Sequence, residues 1–425
     1  MKWGYYMKFG IIEFTPIKER IKEKYINIGD MIQSEAIYNI YKKMEIKDEQ
    51  ILEININDLS TYNGEYVILP ININLSFNWV INVLPLPDKI IPVFLGLSYF
   101  SSEELPSQLC EYFKYYGPVG CRDEATLNLL RSNNIPAYLY GCITATYPLR
   151  PPIKQTKKIL CVDVPKSFKK NIPNDIIKNY SIEYLSHIFH GEDVLDISEV
   201  KRIYTNLMAK YQTEVDLVIT SRLHCMSPCL AMGIPVIAVT ENCSPRLGWI
   251  DKFIQIYTPE TYDSIDWTPK PIYYEDIKEI MIEIAIDKIK STYDKYEKIC
   301  DLSQFYEQRK KSNYGNFYYT KLKQLPKHLG EDFKYIIWGT GQIGINAFNV
   351  ISSKFPKSKM VAAVDSFCEG NFFGLEIQKP NVIKNYQDTY VFIATYSGES
   401  YAIDILRQLG KRNMYDFMSL ATTTG

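Results

Sequence analysis

Short runs of consecutive apolar residues alternate along this chain with longer amphipathic stretches, and that alternation sets the expected fold. Lys8–Phe14, Tyr66–Leu69, Ile91–Gly96, Val119–Cys121 and Tyr138–Cys142 each read as a strand. Runs that are apolar at nearly every position, rather than at alternate ones, suit strands covered on both faces of a parallel sheet. Between them, Met31–Lys43 carries Ile32, Ala36, Ile37 and Ile40 at helical spacing, and Glu124–Ser132 points Ala125, Leu127 and Leu130 inward. Pro148–Lys158 is proline-rich and basic, as a hinge would be. The alternation then resumes with a strand at Lys158–Asp163, a helix around Glu199–Lys210, and strands at Leu217–Ile219 and Ile234–Val239.

Tyr274–Lys323 is polar, tyrosine-rich and helical in pattern. Ile277, Ile280, Met281, Ile284 and Ala285 fall at helical spacing, which predicts a packed connector tying the two halves together. From about Glu331 a further unit begins. Phe333–Trp338 reads as a strand, Gly339, Gly341 and Gly344 follow in a GxGxxG pattern, and Val361–Asp365 is a second strand ending in an acid. That spacing is the dinucleotide fingerprint: the glycines allow a tight turn and close approach of a pyrophosphate, and the acid meets a ribose. Gly374–Pro380 and Tyr390–Thr395 more closely resemble a small nucleotide-sugar-binding module of the kind appended to sugar-modifying acyltransferases and methyltransferases. A nucleotide-sugar or dinucleotide site at Gly339, Gly341, Gly344 and Asp365 is one reading, and a purely structural Rossmann-like domain is the other. No second catalytic half makes it a dehydrogenase.

Composition narrows the function classes. A length of 425 residues allows two or three cores. A net charge of −1 provides no global field for nucleic acid, so any anion site has to be local. The nine cysteines are scattered in apolar contexts, as reduced buried thiols would be. Cys225 and Cys229 lie near His224, and His187 near His190, but no tight CxxC pair supports a metal. The apolar run of the amino terminus is too short for a signal peptide, and none reaches the about 20 residues that span a bilayer. The expected location is cytoplasmic, at most peripheral at the inner face of a membrane.

The richest chemistry lies in Asp216–Val239, DLVITSRLHCMSPCLAMGIPVIAV. A strand, a short helix ending at Gly233 and a second strand form a βαβ unit, with Arg222 and His224 just past the first strand's carboxyl end. Open α/β sheets bind ligands there. Ser227 and Pro228 suit an N-cap and a first helical position, so the loop carrying His224 is expected to stay irregular until that point. An arginine clamps phosphate or carboxylate, and a histidine exchanges protons near neutrality. The bland alternative is a packed histidine and a surface arginine.

Three motifs recur in one order: NxGD (Asn27, Gly29, Asp30), CRDEATLNLLRSNNIP (Cys121–Pro136) and TSRLHCMSPCLAMGIPVI. Together they resemble the polysaccharide pyruvyl transferase family over roughly residues 8–250. The resemblance implies an α/β fold of two facing Rossmann-like halves in a GT-B-like arrangement. The third, carboxyl-terminal Rossmann-like unit is appended to them. The expected divisions are 1–150, 151–270, a connector at 271–330, and 331–425. The resemblance also carries Asn27, Gly29 and Asp30 to the cleft, although Asp30 near a helix start could equally be a cap. It places Arg122, otherwise readable as a surface residue, on the phosphoenolpyruvate anion beside Arg222. Asp123 is expected to cap the next helix. Arg246 stands where the family has a lysine-containing loop. Glycine-rich turns usual after two first-half strands are replaced here by Pro70–Asn74 and by Leu97–Phe100, which alters the pocket.

The implied reaction moves pyruvate from phosphoenolpyruvate onto a sugar diol as a cyclic ketal, releasing phosphate. The acceptor would be a lipid- or nucleotide-linked saccharide of surface polysaccharide synthesis, and no cofactor or metal is required. His224 would be the general acid, Arg122 and Arg222 the anion clamps, and Asp30 or Asp123 the base. Two alternatives are a GT-B glycosyltransferase using a nucleotide sugar and a non-catalytic nucleotide-sugar-binding protein.

Overall fold

The computed structural model describes residues 7–14, 25–75, 84–99, 105–190, 197–242, 244–297, 321–322, 324–395 and 398–421. The first half contains β1 (Lys8–Glu13), β2 (Tyr25–Asn27), β3 (Ile51–Asn55), β4 (Val67–Ile71), β5 (Ile90–Leu97), β6 (Val119–Cys121) and β7 (Ala137–Leu139). All but β2 form one parallel sheet in the order β3-β1-β4-β5-β6-β7. Every residue of β4 and β5 is buried, as their uninterrupted apolar runs require. The strand expected at Tyr138–Cys142 is shorter than its apolar run. It ends at Leu139, and Cys142 instead begins a 3-10 turn, Ile143–Thr146.

The second half repeats the plan. β8 (Lys158–Val162), β9 (Ser181–Leu185), β10 (Ile188–His190), β11 (Leu217–Thr220), β12 (Val236–Val239) and β13 (Ile256–Tyr257) follow in sequence. Without β10 they form a parallel sheet in the order β13-β12-β11-β8-β9, whose direction of winding reverses between β8 and β11. The third sheet comprises β14 (Lys334–Trp338), β15 (Lys359–Val364), β16 (Asn371–Phe372), β17 (Leu375–Gln378), β18 (Tyr390–Ile393) and β19 (Phe417–Ser419). Its order is β16-β17-β15-β14-β18-β19, parallel except for the β16–β17 hairpin. The architecture is therefore α/β with Rossmann-like sheets, in the multi-domain, GT-B-like manner.

Two features join the first halves. β2 pairs antiparallel with β10 across them, setting Asn27 against Ile188 and Tyr25 against His190. The helix Glu275–Glu297 packs on β4 and β5 and on the helix Gly29–Lys43. Its Lys278 Nζ donates to the Ala231 carbonyl of the second half at 3.0 Å. One apolar core consequently runs through both, from Phe9 and Ile91 to Leu160 and Val218. In that helix Met281 and Ala285 are buried, but Ile277 and Ile280 are 38% and 54% exposed. The apolar spacing overstated the packed face, because a helix lying over only part of the core covers fewer positions than its sequence offers. Residues 298–320 and 323 of the expected connector, Cys243 and Phe100 lie outside the described residues. Among the described residues no helix is long and apolar enough to cross a membrane.

Candidate active site

The reversal of the second sheet places the ends of β8 and β11 side by side, where a crevice opens beyond the carboxyl ends. Past β11, Thr220 Oγ1 accepts the Arg222 N–H at 3.0 Å and Ser221 Oγ donates to the Asp163 carbonyl at 2.6 Å. Those bonds turn the chain at once into the helix Leu223–Ala231, with Arg222 extended at the N-cap. The irregular loop expected as far as Ser227 is absent, and His224 stands in the helix's first turn. Pro228 lies inside the helix, at the position whose N–H would otherwise reach the His224 carbonyl. The proline removes one bond without ending the helix, because the whole segment is buried and held by its packing.

The first half brings Asp30 to this histidine. The carboxylate lies in the first turn of the helix Gly29–Lys43, which has no side-chain cap. Its Oδ1 is 3.5 Å from His224 Nδ1 and accepts Gln33 Nε2 at 3.3 Å, and Oδ2 accepts Asn27 Nδ2 at 3.3 Å. Asp30 therefore faces the opposite half and does not cap its helix. Gly29 permits the approach: a Cβ there would lie 3.1 Å from Asn27 Oδ1 and His187 Nδ1, and 3.2 Å from His224 Cβ. The β2–β10 pairing delivers both flanks of this contact, since Ile28 N–H also donates to the His187 carbonyl at 2.9 Å.

Arg122, only 1% exposed, completes the first-half side. Its Nη2 donates to Gln33 Oε1 at 3.0 Å and to the Asn72 carbonyl, and its Nε to the Gly96 carbonyl at 3.1 Å. All these acceptors are neutral, and among the described residues no carboxylate is paired with it. Gly96 takes φ +99°, a conformation open to glycine, and this turns its carbonyl to the guanidinium. Pro70–Asn74, one of the segments that replace the glycine-rich turns, thus presents the Asn72 carbonyl to the arginine, and Gly96 presents its own just before the other.

Arg222 Nε donates to Asp163 Oδ2 at 2.9 Å, and the same carboxylate accepts Ser186 Oγ at 2.6 Å and the His187 N–H at 3.0 Å. Arg246, in the 3-10 turn Pro245–Leu247, has an Nε buried without a hydrogen-bond partner among the described residues. Burial and then the neighbouring Arg122 charge lower its pKa, while Asp30 opposes them. His224 feels burial pulling its pKa down, but Asp30 and the Cys142 thiol outweigh it and the net shift is upward. Its Nε2 is buried and makes no hydrogen bond among the described residues. His187 behaves oppositely: burial holds it down to about 4, so it is a neutral ring whose Nε2 pairs with Tyr211 Oη at 2.9 Å. Asn27, Gly29, Asp30, Arg122, Arg222, His224 and Arg246 are accordingly gathered where the two halves meet.

Asp123 is not part of that gathering. It caps the helix Glu124–Ser132, with Oδ1 accepting the Thr126 N–H at 2.8 Å and Oδ2 accepting Ser98 Oγ at 2.7 Å. In the third sheet, Gly339 adopts φ +108° and packs so closely that a Cβ would meet the Ala394 carbonyl oxygen at 2.5 Å. Gly341 is the N-cap of the helix Gln342–Lys354, and a Cβ on Gly344 would lie 2.1 Å from the Gly339 carbonyl oxygen. Asp365 accepts the Thr340 N–H and hydroxyl on Oδ2 (2.9 and 3.0 Å) and the Phe367 and Cys368 N–H groups on Oδ1 (2.9 and 3.0 Å). Both oxygens serve their own loops.

Gln33, Cys142, Asp163 and His187 are site neighbours that sequence reasoning left aside. Asp163 carried a signal, as an acid at the end of a buried strand in the same half as Arg222. His187 was weighed only with His190 for a metal, and Gln33 and Cys142 carried no signal. The polysaccharide pyruvyl transferase family model matches residues 27–242, just over half of the chain. No curated protein and no solved structure matches it. The matched span contains Asn27, Asp30, Arg122, Arg222 and His224 and stops short of Arg246 and the third sheet. By that match, the chain belongs to the polysaccharide pyruvyl transferase family.

Proposed function

We propose that the cleft binds phosphoenolpyruvate and transfers its pyruvyl unit to a saccharide diol, forming a cyclic ketal and releasing phosphate. The observation that carries this reading is an excess of arginine charge, from buried Arg122 to half-exposed Arg222, beside an acid–base pair. Among the described residues, the carboxylates beside Arg122, Arg222 and Arg246 are Asp30 and Asp163, and Asp30 helps to raise the His224 pKa against burial. A small anion bearing both phosphate and carboxylate neutralises such a site, and arginine forks bind both groups. Here His224 Nε2 protonates the methylene carbon, which leaves the adjacent carbon open to the first acceptor hydroxyl. That hydroxyl loses its proton to the Asp30 side of the pair. The second hydroxyl then closes the ring as phosphate departs and carries away that hydroxyl's proton, the phosphate charge being held by the arginines. Asp123 has no part in this reading, since Oδ1 is engaged in the helix cap and Oδ2 by the Ser98 hydroxyl. The acceptor is a lipid- or nucleotide-linked saccharide of surface polysaccharide synthesis, which the family supports only as far as a saccharide.

Calorimetric titration of phosphoenolpyruvate into the wild type and Arg246→Gln, with uridine diphosphate sugars as comparison ligands, tests the reading. Binding that weakens in the variant supports it. Absence of phosphoenolpyruvate binding, with a nucleotide sugar held in the cleft, replaces it with a glycosyltransferase.

A further inference from the structure

Asn72 stands beside Arg122 with a side chain that neither the family match nor the reaction above assigns. It directly follows β4, and the first sheet, ordered β3-β1-β4-β5-β6-β7, reverses its winding between β1 and β4. Asn72 therefore borders that sheet's own switch point, at the carboxyl ends of the strands, where open α/β sheets bind ligands. The segment is firmly held. Asn74 bridges to Ser98, the Leu75 N–H donates to the Ser98 carbonyl at 2.7 Å, and the Ser98 N–H donates to the Ile73 carbonyl at 3.1 Å. The Asn72 carbonyl accepts Arg122 Nη2, and a Cβ on Gly96, whose own carbonyl accepts Arg122 Nε, would lie 4.0 Å from Asn72 Cβ.

The backbone of Asn72 is thus accounted for, but its side-chain amide is not. The residue is 2% exposed, and Nδ2 is buried without a hydrogen-bond partner among the described residues. An unpaired buried donor is costly, whereas an apolar side chain of similar shape at the same place is not. Two further orphan atoms come from the second half, His224 Nε2 and Arg246 Nε, each buried and without a partner among the described residues. Both side chains feel the Arg122 charge. Three separate segments therefore bring unpaired nitrogens to the surroundings of one buried guanidinium. The amide and the arginine are donors, the imidazole is a donor when protonated, and their common complement is an anionic oxygen.

We propose that Asn72 is a specificity-determining substrate contact: its Nδ2 donates a hydrogen bond to an anionic oxygen of phosphoenolpyruvate held at Arg122. One residue then serves both partners, seating the arginine with its carbonyl and the anion with its amide. A neutral donor suits the place, because a further cation would be repelled by Arg122, and an amide keeps its N–H groups at every physiological pH. The bond is charge-assisted and lies in a buried setting that strengthens it. Phosphate and carboxylate both present such an oxygen, and the contact is the same for either. The inference rests on the phosphoenolpyruvate reading only for the identity of the anion.

The test is calorimetric titration of phosphoenolpyruvate, inorganic phosphate and pyruvate into the wild type, Asn72→Leu and Asn72→Asp, with a thermal melt of each protein. Asn72→Leu should weaken phosphoenolpyruvate roughly 10- to 150-fold, the worth of one hydrogen bond to a charged group. Asn72→Asp should weaken it further, because the new carboxylate repels the anion and competes for Arg122. If phosphate weakens and pyruvate does not, the oxygen belongs to the phosphate, and the reverse assigns it to the carboxylate. Without ligand, Asn72→Leu should melt at or above the wild-type temperature, since it removes a buried donor that has no partner. A purely structural amide gives a lower melting temperature with phosphoenolpyruvate affinity unchanged. Unchanged affinity in either variant overturns the inference and leaves the proposed reaction standing. If Asn72→Leu fails to fold, the isosteric Asn72→Asp decides by affinity. If the wild type binds phosphate but not phosphoenolpyruvate, and the variants lose the phosphate, the reaction falls and the contact stands. A wild type that binds none of the three anions overturns both.

Discussion

Two sheets in this chain place an aspartate just past the carboxyl end of a parallel strand, and the two carboxylates have different partners. Asp163, after β8, holds the Ser186 hydroxyl, the His187 N–H and the Arg222 guanidinium. Asp365, after β15, holds among the described residues only Thr340, Phe367 and Cys368 in neighbouring loops. Asp163 thus passes its order outward, because Arg222 uses Nε on the carboxylate and leaves its terminal nitrogens without a hydrogen bond among the described residues. Asp365 closes its loops on themselves. A buried charge beside a sheet's ligand-binding edge is consequently weak evidence of a site. The stronger sign is a charge whose partner still has donors to offer.

The comparison breaks most visibly at the acid–base pair. His224→Gln should reduce kcat about 10²–10⁴-fold, the usual worth of a positioned general acid, with phosphoenolpyruvate still binding. Steady-state kinetics at wild-type level would dissociate the cleft from the chemistry. Arg246→Gln comes next. Loss of a hydrogen bond to a charged group is worth about 1.5–3 kcal/mol, which predicts roughly a 10- to 150-fold rise in KM for phosphoenolpyruvate. Gly29→Ala sharpens the comparison without touching a charge. The added methyl crowds Asn27, His187 and His224 by a few tenths of an ångström, so kcat should fall about tenfold from misplacement of the reacting groups. Stopped-flow measurement of the same rate in wild type and variant would show that this close approach is immaterial.

The smallest effect on activity belongs to Asp365→Asn, which should leave turnover unchanged and lower thermal stability by about 1–3 kcal/mol at neutral pH. Burial opposes the Asp365 carboxylate, but N–H groups from Cys368, Thr340 and Phe367 outweigh it and depress its pKa. A depressed carboxylate contributes stability above its unfolded pKa of about 3.9 and loses it as pH falls through the folded value. Melting curves of wild type and variant should therefore converge in acid. A turnover defect in this variant would show that the third sheet takes part in the reaction.

Much of the fold was legible because parallel strands announce themselves as uninterrupted apolar runs, as β4, β5, β11 and β14 do. Helix starts were less legible. Ser227-Pro228 has the local chemistry of a beginning, but the true start is set by Thr220 and Ser221, whose partners include a carbonyl of β8's following loop. The site was legible in its charged members and obscure in its neutral ones. His224 stands out as one of four histidines and Arg122 through its motif, whereas Gln33, which bridges Asp30 to Arg122, has no pattern at all. Asp30 shows the same division. Local rules allowed it to cap its helix, and only the pairing of β2 with β10 turned it towards His224.

Sequence by itself determined what depends on near neighbours in the chain: the α/β class, the βαβ unit around Arg222 and His224, the Asp123 cap and the family of the chain. Tertiary structure decided which charges met. Asp30, Arg122, Cys142, Asp163, His224 and Arg246 come from separate segments, and their titration and pairing follow from distances that no local pattern encodes. Coulombic and hydrogen-bond energies fall steeply with separation and rise with burial. A site made of such terms therefore exists only once the halves are docked.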